Sequence, residues 1–301
     1  MSVVTSPATP VRTANFTRYA WGVLGWNVLV ILWGAYVRAT GSGAGCGGHW
    51  PLCNGEVVPQ TPQIQTIIEF THRLTSGVAF LGVAGLLVWS FFSFPRNHRV
   101  RKASIASLAL MVTEAALGAG LVLFDYVGAN ASAARAFYLS LHLLNTAFLL
   151  AALILTAWFA QNPDRTFRLR SQLLTGTLPV ALLVMVTGTI AALGDTLFPA
   201  SSLAAGIQQD LSSSSNFLVR LRGLHPAFAV LGAILFVYAA FKFIRTPARR
   251  IALTVLALSM LQVVAGAINI ALLAPTWMQI IHLLLADLVW LALVLLAVEA
   301  A

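Results

Sequence analysis

The chain has 301 residues, of which 59% are hydrophobic and only 9% are charged. Soluble domains average about 25% charged residues, so this composition excludes an ordinary soluble domain and indicates an integral membrane protein. The net charge of +9 does not indicate nucleic-acid binding, because the basic residues lie between apolar runs and form no stripe.

Eight apolar stretches are long enough to cross a bilayer as helices, which takes about 20 residues. Only helices or closed barrels satisfy the backbone in lipid, and barrel strands alternate in polarity and are about half as long. The sequence therefore predicts an all-α integral membrane protein with eight transmembrane helices. In chain order the predicted spans are Tyr19–Val37, Thr66–Phe92, Lys102–Phe124, Arg135–Ala160, Gln172–Leu193, Phe217–Phe243, Arg250–Leu273 and Pro275–Val298.

Basic residues are distributed unequally between the connections. Thirteen of the 18 basic residues lie in the N-terminal tail (1–18) or in the connections after the second, fourth and sixth spans. The connection after the fourth span holds Arg165, Arg168 and Arg170. Because Lys and Arg favour the cytoplasmic side, both termini are expected in the cytoplasm and the protein in the cell (plasma) membrane. No secretory signal is expected, because the first apolar run is too long and has no obvious cleavage site. Five arginines lie at the opposite, outer face: Arg38, Arg73, Arg135, Arg220 and Arg222.

Two of the expected outer loops are long. The first, 39–65, is rich in Gly and Pro and holds both cysteines, whereas the third, 194–216, is rich in Ser. The inner connections are short and basic. Substrate handling or partner contact is therefore expected at the outer face.

Four of the six histidines occupy equivalent places in the spans. His72, His142, His225 and His282 lie in the second, fourth, sixth and eighth predicted helices, each 6 to 8 residues past the predicted helix start. All four helices run in the same direction, so the four imidazoles are expected about 10 Å deep in the outer half of the membrane.

The two halves of the chain also resemble each other. "SLHLLNTAFLL" around His142 matches "IIHLLLADLVW" around His282, and "TEAALGAGLV" matches "LQVVAGAINI", which places Gly118 opposite Gly266. The sequence therefore predicts an internal duplication. The duplicated chain is expected to form two pseudo-symmetric four-helix bundles, a first half at 19–160 and a second half at 172–301, joined by a linker at 161–171.

Two imidazoles at one depth in an apolar bundle are typical axial ligands of haem iron, and two halves would make two haem sites. A single intramembrane His often only bonds a neighbouring helix, but four in register with a repeat favour ligation. Glu69 and His72 have the Glu-x-x-His spacing of di-iron bundles. A di-iron site needs a second such pair, and the residue that matches Glu69 in the second half is Arg222, which disfavours a di-iron site. No Cys-x-x-Cys-His occurs, which excludes covalent haem attachment.

Charged residues near the histidines are further candidates. Arginines pair well with carboxylates, so one explanation of the outer arginines is that they bind haem propionates. The other is that they only snorkel to the membrane interface. These arginines are Arg73, Arg135, Arg220 and Arg222. Glu69 lies one turn from His72, where it either exchanges protons during a reaction or only pairs with Arg73. For Glu114, whose equivalent is Gln262, packing and chemical roles are both open, and Asp287 is assigned no role.

The two cysteines, Cys46 and Cys53, lie seven residues apart in the first outer loop. That compartment tolerates disulfides, and a bridge would brace the loop over the first-half site. A redox role in passing electrons is an alternative. A metal site with His49 is a third, although two thiols and one His leave a tetrahedral site short of a ligand.

Five stretches resemble the haem A synthase family, and the likeness covers nearly the whole chain. They are "RATGSGAGCGGHWPLCNGEVVP" (Arg38–Pro59), "EFTHRLTSG" (Glu69–Gly77), "LHLLNT" (Leu141–Thr146), "GLHPAFA" (Gly223–Ala229) and "IHLLLAD" (Ile281–Asp287). One feature departs from many bacterial members, because the third outer loop lacks a second cysteine pair.

The resemblance implies an oxidoreductase that converts haem O to haem A, oxidising a ring methyl to a formyl group through successive hydroxylations. It implies that substrate haem lies between His72 and His142, with Glu69 in catalysis, and that haem b lies between His225 and His282 as a redox relay. It also implies haem O synthase as the upstream partner. The electron acceptor is not indicated.

Three other functions compete with this interpretation. A bis-His di-haem electron carrier would hold two permanent haems and change neither, but Glu69 and the Cys loop occur in one half only. A haem transporter or chaperone is a second alternative. Prenyl transfer is disfavoured, because no paired Asp-rich motif for magnesium diphosphate occurs.

Overall fold

The computed structural model describes residues 10–163 and 171–300. Residues 1–9 of the expected tail and most of the expected linker, with Arg165, Arg168 and Arg170, lie outside the described residues. Within the described ranges the chain is almost entirely helical and forms no β-strand, so the all-α prediction is confirmed. The helices are α1 (Pro10–Ala39), α2 (Ile64–Ser93), α3 (Arg99–Leu123), α4 (Ala133–Gln161), α5 (Gln172–Leu197), α6 (Leu203–Leu211), α7 (Phe217–Arg222), α8 (His225–Phe243), α9 (Arg249–Ala271) and α10 (Thr276–Glu299).

Eight helical segments in the described residues are long and apolar enough to cross a membrane, as the sequence predicts. Most predicted boundaries agree with the helix ends to within a few residues. The first helix differs, because α1 begins at Pro10 rather than Tyr19. The loops 40–63, 124–132 and 198–216 follow the first, third and fifth spanning helices and so lie at the same end of the bundle, here called the loop end. The four candidate histidines lie near that end.

The sixth predicted span is not one continuous helix. It divides into α7 and α8, with Gly223 and Leu224 between them. Pro226 explains the break, because it has no N–H to continue the hydrogen-bond ladder and it disfavours helix in the preceding residues. The interruption places His225 at the first turn of α8.

The third outer loop contains a helix that the sequence analysis does not predict. Helix α6 is capped by Ser202, whose hydroxyl accepts a 3.2 Å hydrogen bond from the amide of Ala205. Asp210 near its end bonds to Arg222 of α7. The Ser-rich loop is therefore folded onto the start of the sixth span.

The centre of the bundle is formed by α4 and α10, which are the most buried of the spanning helices. Trp290 Nε1 on α10 donates a 2.7 Å hydrogen bond to the Ala147 carbonyl on α4. Helices α1 and α5 pack against both of these central helices. The two halves of the chain therefore share one continuous core, which holds the loop end of both together.

Candidate functional site

Each of the four candidate histidines lies against a glycine on a neighbouring helix. A Cβ added to three of these glycines would lie only 3.0–3.1 Å from the ring carbon Cε1, and at the fourth it would lie 3.9 Å away. The glycines therefore leave the space that the imidazole rings occupy. The pairs are Gly34 with His72, Gly118 with His142, Gly188 with His225 and Gly266 with His282.

The repeat of this contact agrees with an internal duplication. The sequence predicts the equivalence of Gly118 and Gly266, and both glycines indeed face the equivalent histidines, His142 and His282. The contacts of Gly34 and Gly188 are not predicted. Helices α1 with α2 and α5 with α8 bring these further pairs together.

The two histidines of the second half face each other. The ring centroids of His225 and His282 lie 6.5 Å apart, and the ring planes are inclined by 81°. An imidazole nitrogen binds a metal such as zinc at about 2.0–2.1 Å, so two rings on opposite sides of one metal have centroids roughly 6 Å apart. The observed separation therefore fits a single iron between the two rings.

The histidines of the first half are His72 on α2 and His142 on α4. Their Nδ1 atoms are buried and form no hydrogen bond in the structure, and the same is true of Nδ1 in His282. Buried polar nitrogens without partners are costly. These three rings therefore have no fixed hydrogen-bond partner at Nδ1, and a pair of neutral imidazoles fits haem iron.

The histidines differ in their polar neighbours. Glu114 Oε1 lies 3.3 Å from His142 Nδ1, a close contact without hydrogen-bond alignment. In the second half Gln262 Nε2 lies 3.3 Å from His282 Nε2, and Thr187 Oγ1 lies 3.0 Å from His225 Nδ1. Glu114, whose role the sequence leaves open, is thus adjacent to a candidate ligand.

Glu69 connects α2 to the cysteine loop. Its side chain is 3% exposed, and it accepts hydrogen bonds from the Cys46 amide at 2.9 Å and from Arg73 Nη2 at 2.5 Å. The pairing with Arg73 that the sequence offers as an alternative is therefore formed. Arg73 Nη1 also donates to the carbonyls of His49 and Leu52, at 2.7 and 2.8 Å. The ion pair thus holds the loop over the first half.

Cys46 and Cys53 form the predicted disulfide, with their Cα atoms 4.4 Å apart. Both residues are buried, whereas His49 is exposed. The alternative of a metal site with His49 is wrong, because both thiols are in the bridge. The di-iron alternative also fails, since the described ranges contain no group of three or more His, Cys, Asp or Glu residues that could hold a metal ion.

The arginines predicted to meet propionates have different surroundings. Arg222 is held by Asp195 at 3.1 Å and by Asp210 at 2.6 Å, so its charge is already paired. Arg135 Nη1 donates to two loop carbonyls, and its Nε has no hydrogen-bond partner. Arg220 is exposed and has no ion pair to any residue in the described ranges. Arg135 and Arg220 therefore retain donors for a ligand.

Arg38 is a residue whose role the sequence analysis does not predict. It ends α1 in the first half, and it donates hydrogen bonds to Thr196 of α5 at 2.8 Å and to Gln279 of α10 at 3.0 Å. It therefore joins the two halves at the loop end. In the sequence, the only indication of this role is that Arg38 is a charged residue at the end of an apolar span. Asp287 is 1% exposed, and neither carboxylate oxygen has a hydrogen-bond partner in the structure.

Comparison with known proteins gives relatives along most of the chain. A family described as "Cytochrome oxidase assembly protein" (COX15-CtaA) matches residues 17–294. A Thermus thermophilus protein named protoheme IX farnesyltransferase is 51% identical over 292 residues, which are 94% of this chain and 48% of that protein.

Two relatives are named heme A synthase. The Alkalihalophilus pseudofirmus protein is 38% identical over 138 residues, 46% of this chain and 44% of that protein. The Exiguobacterium sibiricum protein is 31% identical over 166 residues, 54% of each chain. The chain thus spans about half the length of the curated relatives it matches. Because the family match covers nearly the whole chain, this protein belongs to the COX15-CtaA family of cytochrome oxidase assembly proteins, the haem A synthase family.

Proposed function

We propose that this chain is an oxidoreductase that converts haem O to haem A by oxidising a ring methyl to a formyl group. The observation that carries the proposal is the difference between two otherwise equivalent histidine pairs. The first pair lies at the loop end, where α2 also carries the buried carboxylate of Glu69, which bonds to the loop that holds the disulfide. At the position of Glu69, the second half has Arg222, which is paired with two aspartates.

In the first half (19–160), His72 and His142 hold the substrate haem. The haem iron, when bound, supplies the redox chemistry at the methyl group. The chain keeps Glu69 one helical turn from His72 and fixes it through Arg73 and the Cys46 amide. In this role Glu69 accepts and releases the protons that methyl oxidation displaces, and water supplies the oxygen of the formyl group.

In the second half (172–301), His225 and His282 hold haem b as the relay that carries electrons away from the first site. Their 6.5 Å ring separation supports this assignment, and Thr187 orients His225 through its Nδ1. Arg135 and Arg220 are the propionate partners in this proposal, because they retain donors. Arg73 and Arg222 fix the surrounding loops instead.

The expected topology agrees with this chemistry. With both termini in the cytoplasm, the loop end lies at the outer face of the cell membrane, with the histidines beneath it. Haem O carries a farnesyl tail, so its flat ring enters sideways from the lipid bilayer while the propionates stay at the rim. The electrons withdrawn from the methyl group would pass through haem b to an external acceptor.

Haem O synthase is the proposed upstream partner. The support is the Thermus thermophilus relative, which is named protoheme IX farnesyltransferase and of which this chain covers 48%. Farnesyl transfer is not proposed for this chain, because no two of its aspartates lie close together in sequence, whereas a magnesium diphosphate site needs paired carboxylates.

The proposal is tested by producing the chain together with a source of haem O and separating the extracted pigments by chromatography. Haem A is expected to accumulate with the unaltered chain and to be absent with His72→Ala. Haem O that persists unconverted beside a protein retaining two haems would instead favour the bis-His electron carrier.

A further inference from the structure

The polar partners of the histidines differ in charge between the halves. In the first half, the carboxylate of Glu114 on α3 lies 3.3 Å from Nδ1 of His142 on α4. In the second half, the neighbours are the Gln262 amide, 3.3 Å from His282 Nε2, and the Thr187 hydroxyl, 3.0 Å from His225 Nδ1. Only the first pair therefore has an anionic residue beside a ring nitrogen among these contacts.

Glu114 is held in place by two donors from the helix that carries His142. Asn145 Nδ2 lies 2.5 Å from Oε2 of Glu114, and Thr146 Oγ1 lies 2.5 Å from Oε1. Asn145 also donates to the Leu110 carbonyl at 2.9 Å, so α3 and α4 are joined on both sides of the carboxylate. Both of its oxygens thus act as hydrogen-bond acceptors beside His142.

This arrangement is specific to the first half. In the matched helices, the positions of Asn145 and Thr146 are taken by Leu285 and Ala286, neither of which has a side-chain donor. Gln262 replaces Glu114 at the equivalent place on α9. The two repeats therefore differ at equivalent histidines. His142 has a carboxylate neighbour that is held by two side-chain donors, whereas His282 has a neutral amide neighbour.

Because Glu114 lies beside Nδ1 of His142, the other nitrogen, Nε2, remains for a metal. A negative charge at this distance raises the basicity of the imidazole as a ligand. A more basic ligand and a nearby negative charge both stabilise the more oxidised iron, which lowers the reduction potential. In the second half, the Gln262 amide lies beside Nε2 of His282 and the Thr187 hydroxyl beside Nδ1 of His225, and neither group carries a charge. The two sites are thus built to differ in potential.

We infer that Glu114 is a positioning residue that acts through His142 to lower the reduction potential of the haem held in the first half below that of the haem in the second. This inference rests on the proposed assignment of one haem to each histidine pair. Its consequence is a direction, because electrons withdrawn at the first site then pass to the second rather than back.

The test is a redox titration, followed by absorption spectra, of the haem-loaded protein purified from cells that co-produce haem O. We expect two components in the unaltered chain. Glu114→Gln, which copies the second half, should shift the lower potential upward and leave the higher one unchanged. A Glu114→Gln protein that retains both haems at unaltered potentials would overturn the inference.

The reciprocal change Gln262→Glu keeps the test decisive if Glu114→Gln loses its first haem. It should move the potential of the second haem downward, and an unchanged or raised value would contradict the inference. Pigment chromatography on the same preparations separates the two claims. If the unaltered protein makes no haem A but Glu114→Gln still shifts the reduction potential, only the enzyme assignment is wrong. If haem O is converted normally but the potential does not shift, only the role of Glu114 is wrong.

Discussion

The backbone amide of Cys46 donates a 2.9 Å hydrogen bond to Oε2 of Glu69. The proposed catalytic carboxylate of α2 and the disulfide loop are thus parts of one unit, closed by the Arg73 contacts to the carbonyls of His49 and Leu52. Any change in the loop therefore reaches Glu69, and any change in Glu69 reaches the loop.

The two roles of Glu69 are separated by comparing Glu69→Gln with Glu69→Ala. Glutamine keeps an acceptor for the Cys46 amide but carries no charge, whereas alanine loses both. We expect haem b to remain in both variants and haem A production to fall in both, measured by pigment chromatography. Only the alanine variant should expose residues 40–63 to limited proteolysis. Undiminished haem A in Glu69→Gln would leave Glu69 as a loop anchor alone.

Removal of the disulfide tests how far the loop depends on it. For a loop as short as that between Cys46 and Cys53, the chain-entropy model gives a stabilisation of roughly 2–3 kcal/mol. In the double variant with both cysteines changed to serine, we expect faster proteolysis of residues 40–63 and retained haem b. Conversion should persist at low temperature, because Glu69 and Arg73 still hold the loop. If conversion is abolished while the loop stays protected, the bridge has a redox role instead.

The glycines that face the histidines give a prediction with an internal control. Alanine at Gly34 or Gly188 would bring a Cβ to 3.0 Å from the Cε1 of His72 or His225. Such overpacking costs about 1–3 kcal/mol, and about 1.4 kcal/mol is a tenfold loss of affinity. We therefore expect Gly34→Ala to weaken haem retention in the first half and Gly188→Ala in the second.

Gly118→Ala is the matched control, because its Cβ would lie 3.9 Å from His142, at ordinary contact distance. Haem content per protein, measured from the pyridine haemochrome spectrum, should be unchanged in this variant. Equal haem losses in Gly34→Ala and Gly118→Ala would show that ring clearance is not what these glycines provide.

The spans and the histidine quartet can be predicted from the sequence because both are repeating patterns. Continuous apolarity marks each helix, and the register of His142 with His282 marks the duplication. The contacts of Gly34 and Gly188 cannot be predicted in this way, because they depend on how neighbouring helices are rotated against each other. The break at Gly223 has a local cause in Pro226, but hydropathy alone joins α7 to α8.

Arg38 shows the same limit, since its partners lie more than 150 residues away in sequence. Arg38→Met keeps the apolar stem and removes every donor. A hydrogen bond to a charged group contributes about 1.5–3 kcal/mol, and about 2 kcal/mol corresponds to a fall in Tm of roughly 3 °C for a chain of about 300 residues. We expect a fall of this size in thermal unfolding, and a smaller one for Gln279→Met. An unaltered Tm in Arg38→Met would contradict a clamp between the halves.

If each histidine pair holds its own haem, variants that remove one pair at a time should lose different pigments. Pigments extracted from purified His72→Ala and His225→Ala proteins, both co-produced with haem O, are separated by chromatography and quantified per protein. We expect His225→Ala to lose haem b and keep the farnesylated haem, whereas His72→Ala should keep haem b and lose haem O and haem A. Loss of the same haem from both variants would contradict it.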